Sequence, residues 1–205
     1  MIKIYSFLLI ALISGGYFLS GCKGKTSDTT TATSQPVIAE QADFGGYPTQ
    51  AKWGEHLVTI LGCNDCHTPK KMTAEGPVLD SSLLLSGHSS QVPVVVVDRV
   101  QAQKIGMVAT NDLTSWVGPW GISYAANLTS DPTGMGNWTP DRFIYAMRKG
   151  AFMGMPNTRS ILPPMPWQDF AAMTDGELKA IFAYLLTTHP VDNNVPAPEP
   201  PAGAH

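Results

Sequence analysis

Cys63-Asn64-Asp65-Cys66-His67 brings two thiols and an imidazole together in five consecutive residues. The gap of two residues keeps the cysteine sulfurs close to one another, and the histidine follows the second cysteine directly. Three kinds of site use such a cluster: a dithiol redox pair, a zinc site and a covalent haem attachment site. The rest of the sequence decides among them.

The surrounding sequence favours covalent haem attachment. A thioredoxin-like pair needs a βαβ setting, which is missing, and zinc needs a further ligand that no second CxxC or HxxxH motif supplies. In the haem interpretation, each sulfur adds to one vinyl group on adjacent pyrroles, so both sulfurs meet one edge of the porphyrin. His67 then lies under the iron as proximal ligand. The sequence predicts one haem c, bound through Cys63 and Cys66.

An amphipathic helix is predicted to run into this motif. Thr49 suits the N-cap, and Gly62 allows the tight turn that brings the cysteines to the porphyrin edge. The apolar residues recur at helical spacing along one face, namely Trp53, Leu57, Ile60 and Leu61.

Two further helices are predicted downstream of a long irregular region, 68–138. Within that region, Val92–Val97 is typical of a short strand, and Pro93 favours an edge position for it. Thr139, followed by a proline, begins one predicted helix. The last predicted helix starts at a capping box formed by Thr174 and Glu177, and Pro190 ends it.

The second axial position of the iron is assigned to Met165. It lies in Ile161-Leu162-Pro163-Pro164-Met165-Pro166-Trp167, where three prolines make a stiff loop that can present a thioether at a fixed distance. Met153 and Met155 are the next candidates. The remaining alternatives are three histidines that fit ordinary surface or partly satisfied positions better, His56, His88 and His189.

The N-terminus indicates export and lipid anchoring. Residues 1–21 have a positive start and an apolar stretch, and they end in Leu19-Ser20-Gly21 before Cys22, which looks like a bacterial lipobox. The alternative is an uncleaved N-terminal membrane helix. Residues 22–48 are rich in Thr, Ser and Gly, so they are predicted to form a flexible tether.

The length, charge and cysteine count of the chain limit its domain number, its partners and its disulfides. The chain has 205 residues and a net charge of −3, which fits one domain with appendages and no nucleic-acid partner. We predict a domain at 49–190 and a Pro-rich tail at 191–205. The lipid anchor and the haem motif account for all three cysteines, so no disulfide is expected.

The order of these motifs resembles a class I cytochrome c domain of the mono-haem kind found in the bacterial envelope. The segments GPWGISYAANLT, GNWT and ILPPMPW add to the resemblance. It implies an all-α cytochrome c fold with His67 and Met165 as the axial ligands. One departure is the long separation between these two residues, which we interpret as a loop-rich insertion at 70–135.

The resemblance implies a membrane-anchored electron carrier, facing the periplasm or the exterior, whose haem iron cycles between Fe(II) and Fe(III). Its partners would be redox proteins of the cell envelope, and it would perform no substrate chemistry of its own. Two alternatives remain: a haem-based sensor or ligand-binding module, and the electron-entry subunit of an envelope dehydrogenase.

Overall fold

The computed structural model describes residues 43–92 and 97–203 of the chain. Six α-helices occur in this part: α1 (Gln50–Ile60), α2 (Cys63–His67), α3 (Arg99–Ile105), α4 (Pro140–Lys149), α5 (Trp167–Phe170) and α6 (Asp175–Leu185). Five short strands accompany them: β1 (Lys70–Thr73), β2 (Gly76–Leu79), β3 (Val108–Ala109), β4 (Ser115–Gly118) and β5 (Gly121–Tyr124).

The prediction of an all-α fold is wrong. Strands β1 and β2 form an antiparallel hairpin, and β3, β4 and β5 form a three-stranded antiparallel sheet in that order. All five lie in the segment between the cysteine–histidine motif and α4, which the sequence predicts to be a loop-rich insertion. The turns predicted in this insertion therefore connect hydrogen-bonded strands. The fold combines helices with two small antiparallel sheets.

The predicted strand at Val92–Val97 falls mostly on 93–96, which lie outside the described residues. The nearby sheet has a small core of its own, in which Ala102 of α3 packs with Val117 and Ile122. This core is separate from the main one, so the insertion has its own apolar centre.

The main core is built by α1, α4 and α6. Helices α1 and α6 pack so closely that a Cβ added at Gly54 would overlap the Ala180 carbonyl oxygen. Phe143 of α4 contacts Phe182 of α6, with their ring centroids 5.5 Å apart. Burial of these apolar faces is what holds the three helices together.

The predicted helix starts are confirmed. The side chains of Thr49 and Thr139 accept hydrogen bonds from the first turns of α1 and α4, respectively. Thr174 and Glu177 form the predicted capping box at the start of α6. These caps satisfy backbone N–H groups that have no partner inside the helix.

The segment after α6 returns to the insertion. The Asn193 side chain donates hydrogen bonds to the Ser86 and His88 carbonyls, and Glu199 forms a β-bridge with Ile122 of β5. Residues 191–203 thus lie against the domain in an irregular, hydrogen-bonded path.

Candidate functional site

An apolar cavity lies beside the cysteine–histidine motif. Its empty space is about 1330 Å³ when its opening to solvent is included. Many of the apolar side chains in its wall belong to the main core or pack directly against it, among them Val58, Leu128, Phe143, Leu178, Ile181 and Leu185. Cys63, Cys66 and His67 also line it, so the motif opens into the cavity.

The motif itself forms the short helix α2. Gly62 precedes it with φ of 68°, a left-handed conformation that glycine adopts easily, as the sequence predicted for this turn. A Cβ at this position would also come within 2.8 Å of the Asp65 carboxylate. At the other end, the Thr68 hydroxyl donates to the Asn64 side chain and accepts from the Leu85 N–H. These hydrogen bonds fix the C-terminal end of the helix.

His67 has the tautomer that a metal ligand needs. Its side chain is 8% exposed, and Nδ1 lies 2.8 Å from the Ala126 carbonyl oxygen. A carbonyl oxygen only accepts hydrogen bonds, so Nδ1 carries the proton and Nε2 keeps its lone pair. Burial lowers the pKa of His67, which favours the neutral ring.

The two thiols are free. Burial raises the pKa of Cys63 to about 11. Burial also raises the pKa of Cys66, although the positive charge of Lys70 opposes that effect. Both sulfurs are therefore protonated thiols at neutral pH, and the net addition of each S–H across a vinyl group would give a thioether.

The residues fit haem c. An apolar cavity suits the porphyrin face, two free thiols border it, and a buried neutral imidazole offers an unprotonated nitrogen in the same wall. A dithiol redox centre does not require a large apolar cavity beside its two thiols, whereas a porphyrin does. Across 43–92 and 97–203 there is no cluster of three or more His, Cys, Asp or Glu side chains suited to a metal ion.

Met165 also lines the cavity, in the loop before α5. That loop is held by the Ser123 hydroxyl, which donates to the Pro163 carbonyl oxygen at 2.6 Å and accepts from Trp120. Three other methionines share the wall: Met135, Met147 and Met153.

The other predicted candidates differ in position. Met153 is in the cavity wall, whereas Met155 is exposed and does not line it. His56, His88 and His189 are likewise absent from the lining. His88 is fully buried elsewhere, where Nδ1 lies 2.8 Å from the Thr114 hydroxyl.

Cys22 and residues 1–21, predicted to form the lipid anchor and signal peptide, lie outside the described residues. Within 43–92 and 97–203, none of the helices combines the length and apolar character required to cross a bilayer.

Two contributors to the site were missed by sequence reasoning. The Ala126 carbonyl orients His67, but a backbone acceptor 59 positions away leaves no residue-type signal. Arg159 lines the cavity and is the only side chain with a permanent charge to do so among the residues described. A lone arginine in a turn-rich segment gives no motif either.

The chain is similar to components of several bacterial dehydrogenases. It is 36% identical over 80 residues to a nicotinate dehydrogenase component of Pseudomonas putida. It is 35% identical over 69 residues to the cytochrome c subunit of the quinone alcohol dehydrogenase of Gluconobacter oxydans, and 34% over 84 residues to the fructose dehydrogenase cytochrome subunit of Gluconobacter japonicus.

These similarities are partial. They cover 38%, 33% and 40% of this chain, respectively, but only 6%, 14% and 16% of the three relatives. No family model matches the chain. Two of the three relatives are named as cytochrome subunits of dehydrogenases, and their similarity to this chain supports a c-type cytochrome.

Proposed function

We propose that this protein carries single electrons through one haem c, covalently bound by Cys63 and Cys66, with His67 and Met165 as axial ligands. The observation that carries the proposal is the state of His67. Its Nδ1–H is committed to the Ala126 carbonyl, so Nε2 is the nitrogen left to bind iron, in a cavity wall that also holds two free thiols.

The chain's residues have three tasks in this function. When bound, the haem iron supplies the Fe(II)/Fe(III) couple. The cysteines would keep the cofactor attached outside the cytoplasm, and the apolar wall would exclude water from it. His67 and Met165 would ligate the iron in both oxidation states, which would keep reorganisation on electron transfer small. A neutral thioether also favours Fe(II) and so raises the reduction potential.

We place the protein in the bacterial envelope, anchored by acyl chains on Cys22 after removal of residues 1–21. The lipobox-like sequence supports this location. More than one acyl chain gives stable membrane attachment. The tether at 22–48 would let the haem domain reach redox proteins near the membrane, facing the periplasm or the exterior.

A second role, as the electron-entry subunit of an envelope dehydrogenase, is favoured by the names of the similar proteins. The electron chemistry would be the same, and the difference lies in whether the partner is permanent. Affinity purification of the mature protein from its native membrane tests this: a dehydrogenase that co-purifies in fixed ratio would support the subunit role.

The test of the main proposal is the optical spectrum of the anaerobically reduced protein, matured in a host that attaches haem c, before and after carbon monoxide. We expect sharp low-spin haem c bands that the gas leaves unchanged, because both axial positions are filled. A prompt spectral shift would show an accessible iron and favour the sensor alternative. Absence of haem c bands would refute the proposal.

A further inference from the structure

Arg159 occupies a chemically distinct place in the cavity wall. It is the only permanently charged side chain lining the cavity among the residues the structure describes, and it is itself exposed. It therefore stands where an apolar interior meets solvent. A ligand with an apolar body and an acidic end would fit this arrangement.

The guanidinium is held in place by its own loop. Its carbon lies 3.7 Å from the centroid of the Phe152 ring, and Nη1 donates to the Ser160 carbonyl oxygen at 2.9 Å. The backbone N–H of Phe152 donates to the Arg159 carbonyl, and Ala151 pairs with Ser160 in a β-bridge. The loop thus keeps the arginine stacked and leaves most of its donors unused.

Within 43–92 and 97–203, no carboxylate forms an ion pair with Arg159. The ion pairs found in the described part of the chain are Lys52–Glu55, Lys71–Asp80, Arg99–Glu199 and Arg148–Asp175. Partial burial lowers the pKa of Arg159, and a neighbouring anion would offset that cost of desolvation by acting as a partner for the charge. An anion at the mouth of the cavity would supply that partner.

We propose that Arg159 binds a peripheral carboxylate of the haem and, by neutralising it, raises the reduction potential of the iron. This inference rests on the proposed function. A porphyrin is apolar over its faces, but its two carboxylates cannot enter an apolar wall without a large desolvation penalty. They must reach the rim, where the guanidinium offers a planar pair of N–H donors suited to a carboxylate.

The charge has a predictable effect on the iron. An unneutralised carboxylate near the haem favours Fe(III), and a cation beside it cancels that effect. The reduced haem carries one more negative charge than the oxidised haem and so holds a proton on the carboxylate more tightly. With the arginine present, the carboxylate stays ionised to low pH, and the potential should be flat near neutrality.

The experiment is redox titration of the holoprotein from pH 5 to pH 9, comparing wild type with Arg159→Gln, Arg159→Lys and Lys149→Gln. Lys149 is an exposed cation of α4 outside the cavity lining, so its variant controls for loss of one surface charge. The optical spectrum and thermal midpoint of each variant report whether the haem ligands and the fold are intact.

We expect Arg159→Gln to lower the potential near neutral pH and to make it fall with rising pH where wild type is flat. Arg159→Lys should restore most of the potential, and Lys149→Gln should match wild type. The inference is overturned if Arg159→Gln matches Lys149→Gln, or if Arg159→Lys is no better than Arg159→Gln. A slower reaction with redox proteins at unchanged potential would instead assign Arg159 to partner docking and overturn it.

These outcomes are separable from failure of the proposed function. If wild type itself lacks haem c bands, the electron-carrier proposal fails before any variant is compared. If all variants show normal low-spin haem with identical potentials, haem-based electron transfer stands and only the role of Arg159 falls.

Discussion

Met165 shares its cavity wall with three other methionines, so its assignment as axial ligand depends on the loop that presents it. The Ser123 hydroxyl anchors that loop through the Pro163 carbonyl oxygen. A restrained backbone can hold a thioether in position through both oxidation states, whereas a methionine on a packed helix such as Met147 mainly fills space.

We therefore expect Met165→Ala to open the sixth coordination position. The reduced variant should bind carbon monoxide and have a lower reduction potential, because a thioether that favours Fe(II) has been removed. Optical titration with the gas measures the first effect and redox titration the second. Met155→Ala, at an exposed methionine outside the cavity lining, is the control. Carbon monoxide binding by Met153→Ala but not by Met165→Ala would reassign the ligand.

The two thiols of the motif should differ in reactivity. With a pKa of about 11, Cys63 has roughly one part in a thousand as thiolate at pH 8. The charge of Lys70 counteracts part of the burial effect on the pKa of Cys66. In protein produced without haem, iodoacetamide should label Cys66 before Cys63, as read by peptide mass spectrometry. Equal rates in the folded haem-free protein would contradict this, and equal rates in urea are the control.

Among the secondary-structure elements, the first residues of the helices could be predicted from the sequence, whereas the sheets could not. Thr49, Thr139 and Thr174 each begin a helix through a local hydrogen bond within three residues, a pattern readable along the chain. Strand β1, by contrast, consists of Lys-Lys-Met-Thr and is mostly exposed, while β4 is buried at every position. Neither shows the alternation that marks a strand facing a core on one side.

The residues of the candidate site also fall into two groups, those that could be predicted from sequence and those that could not. Cys63, Cys66 and His67 lie within five consecutive residues, so their spacing alone predicts the site they form. Ala126 and Arg159 reach the cavity only through the fold, and nothing in their local sequence marks them. Contacts of this kind arise from tertiary packing, which a single sequence does not show as a motif.

The packing of α1 on α6 predicts a sharp contrast between two glycines. Alanine at Gly54 would make its methyl group overlap the Ala180 carbonyl oxygen, so the helices must separate. We expect Gly54→Ala to lower the free energy of unfolding by about 2 kcal/mol, a typical cost of overpacking. Urea unfolding of the holoprotein measures it.

The control for this change is Gly176→Ala, within the first turn of α6. The nearest atom to an added Cβ there is 3.5 Å away, an ordinary contact. Alanine favours helix over glycine by about 1 kcal/mol, so this variant should be as stable as wild type or more so. If both variants lost stability equally, close packing at Gly54 would not be the cause.

For the whole molecule, His88 should make stability depend on pH. It is fully buried, and Nδ1 donates to the Thr114 hydroxyl, which in turn donates to Asp112. Burial lowers the pKa of His88, with Asp112 opposing that effect. The unfolded state therefore takes up a proton first as pH falls below about 6.5, and the free energy of unfolding should drop.

Urea unfolding of the holoprotein at pH 7.5 and pH 5.5 tests this. Wild type should be less stable at the lower pH, and His88→Gln should show a smaller difference between the two values, whatever its absolute stability. An unchanged pH difference in the variant would assign the dependence to other groups.

The C-terminal segment ties distant parts of the molecule together through Asn193. Its amide nitrogen donates to the Ser86 and His88 carbonyls at 2.7 and 2.9 Å, and its oxygen accepts from the Ser90 N–H at 3.0 Å. Between those two carbonyls, the Gly87 N–H donates to the carbonyl of His67 itself. One buried amide thus supports the stretch of chain that is hydrogen-bonded to the His67 backbone.

Asn193→Ala leaves these three backbone groups without their partner. Because each unsatisfied buried group costs about 1–3 kcal/mol, the variant should lower the free energy of unfolding by about 3 kcal/mol. Because the same segment holds His67, the variant should also expose the iron, so that carbon monoxide binds the reduced protein measurably. Asn194→Ala, next to it and exposed, should change neither urea unfolding nor gas binding. Lost stability with no gas binding would mean that the segment stabilises the fold without bracing the ligand.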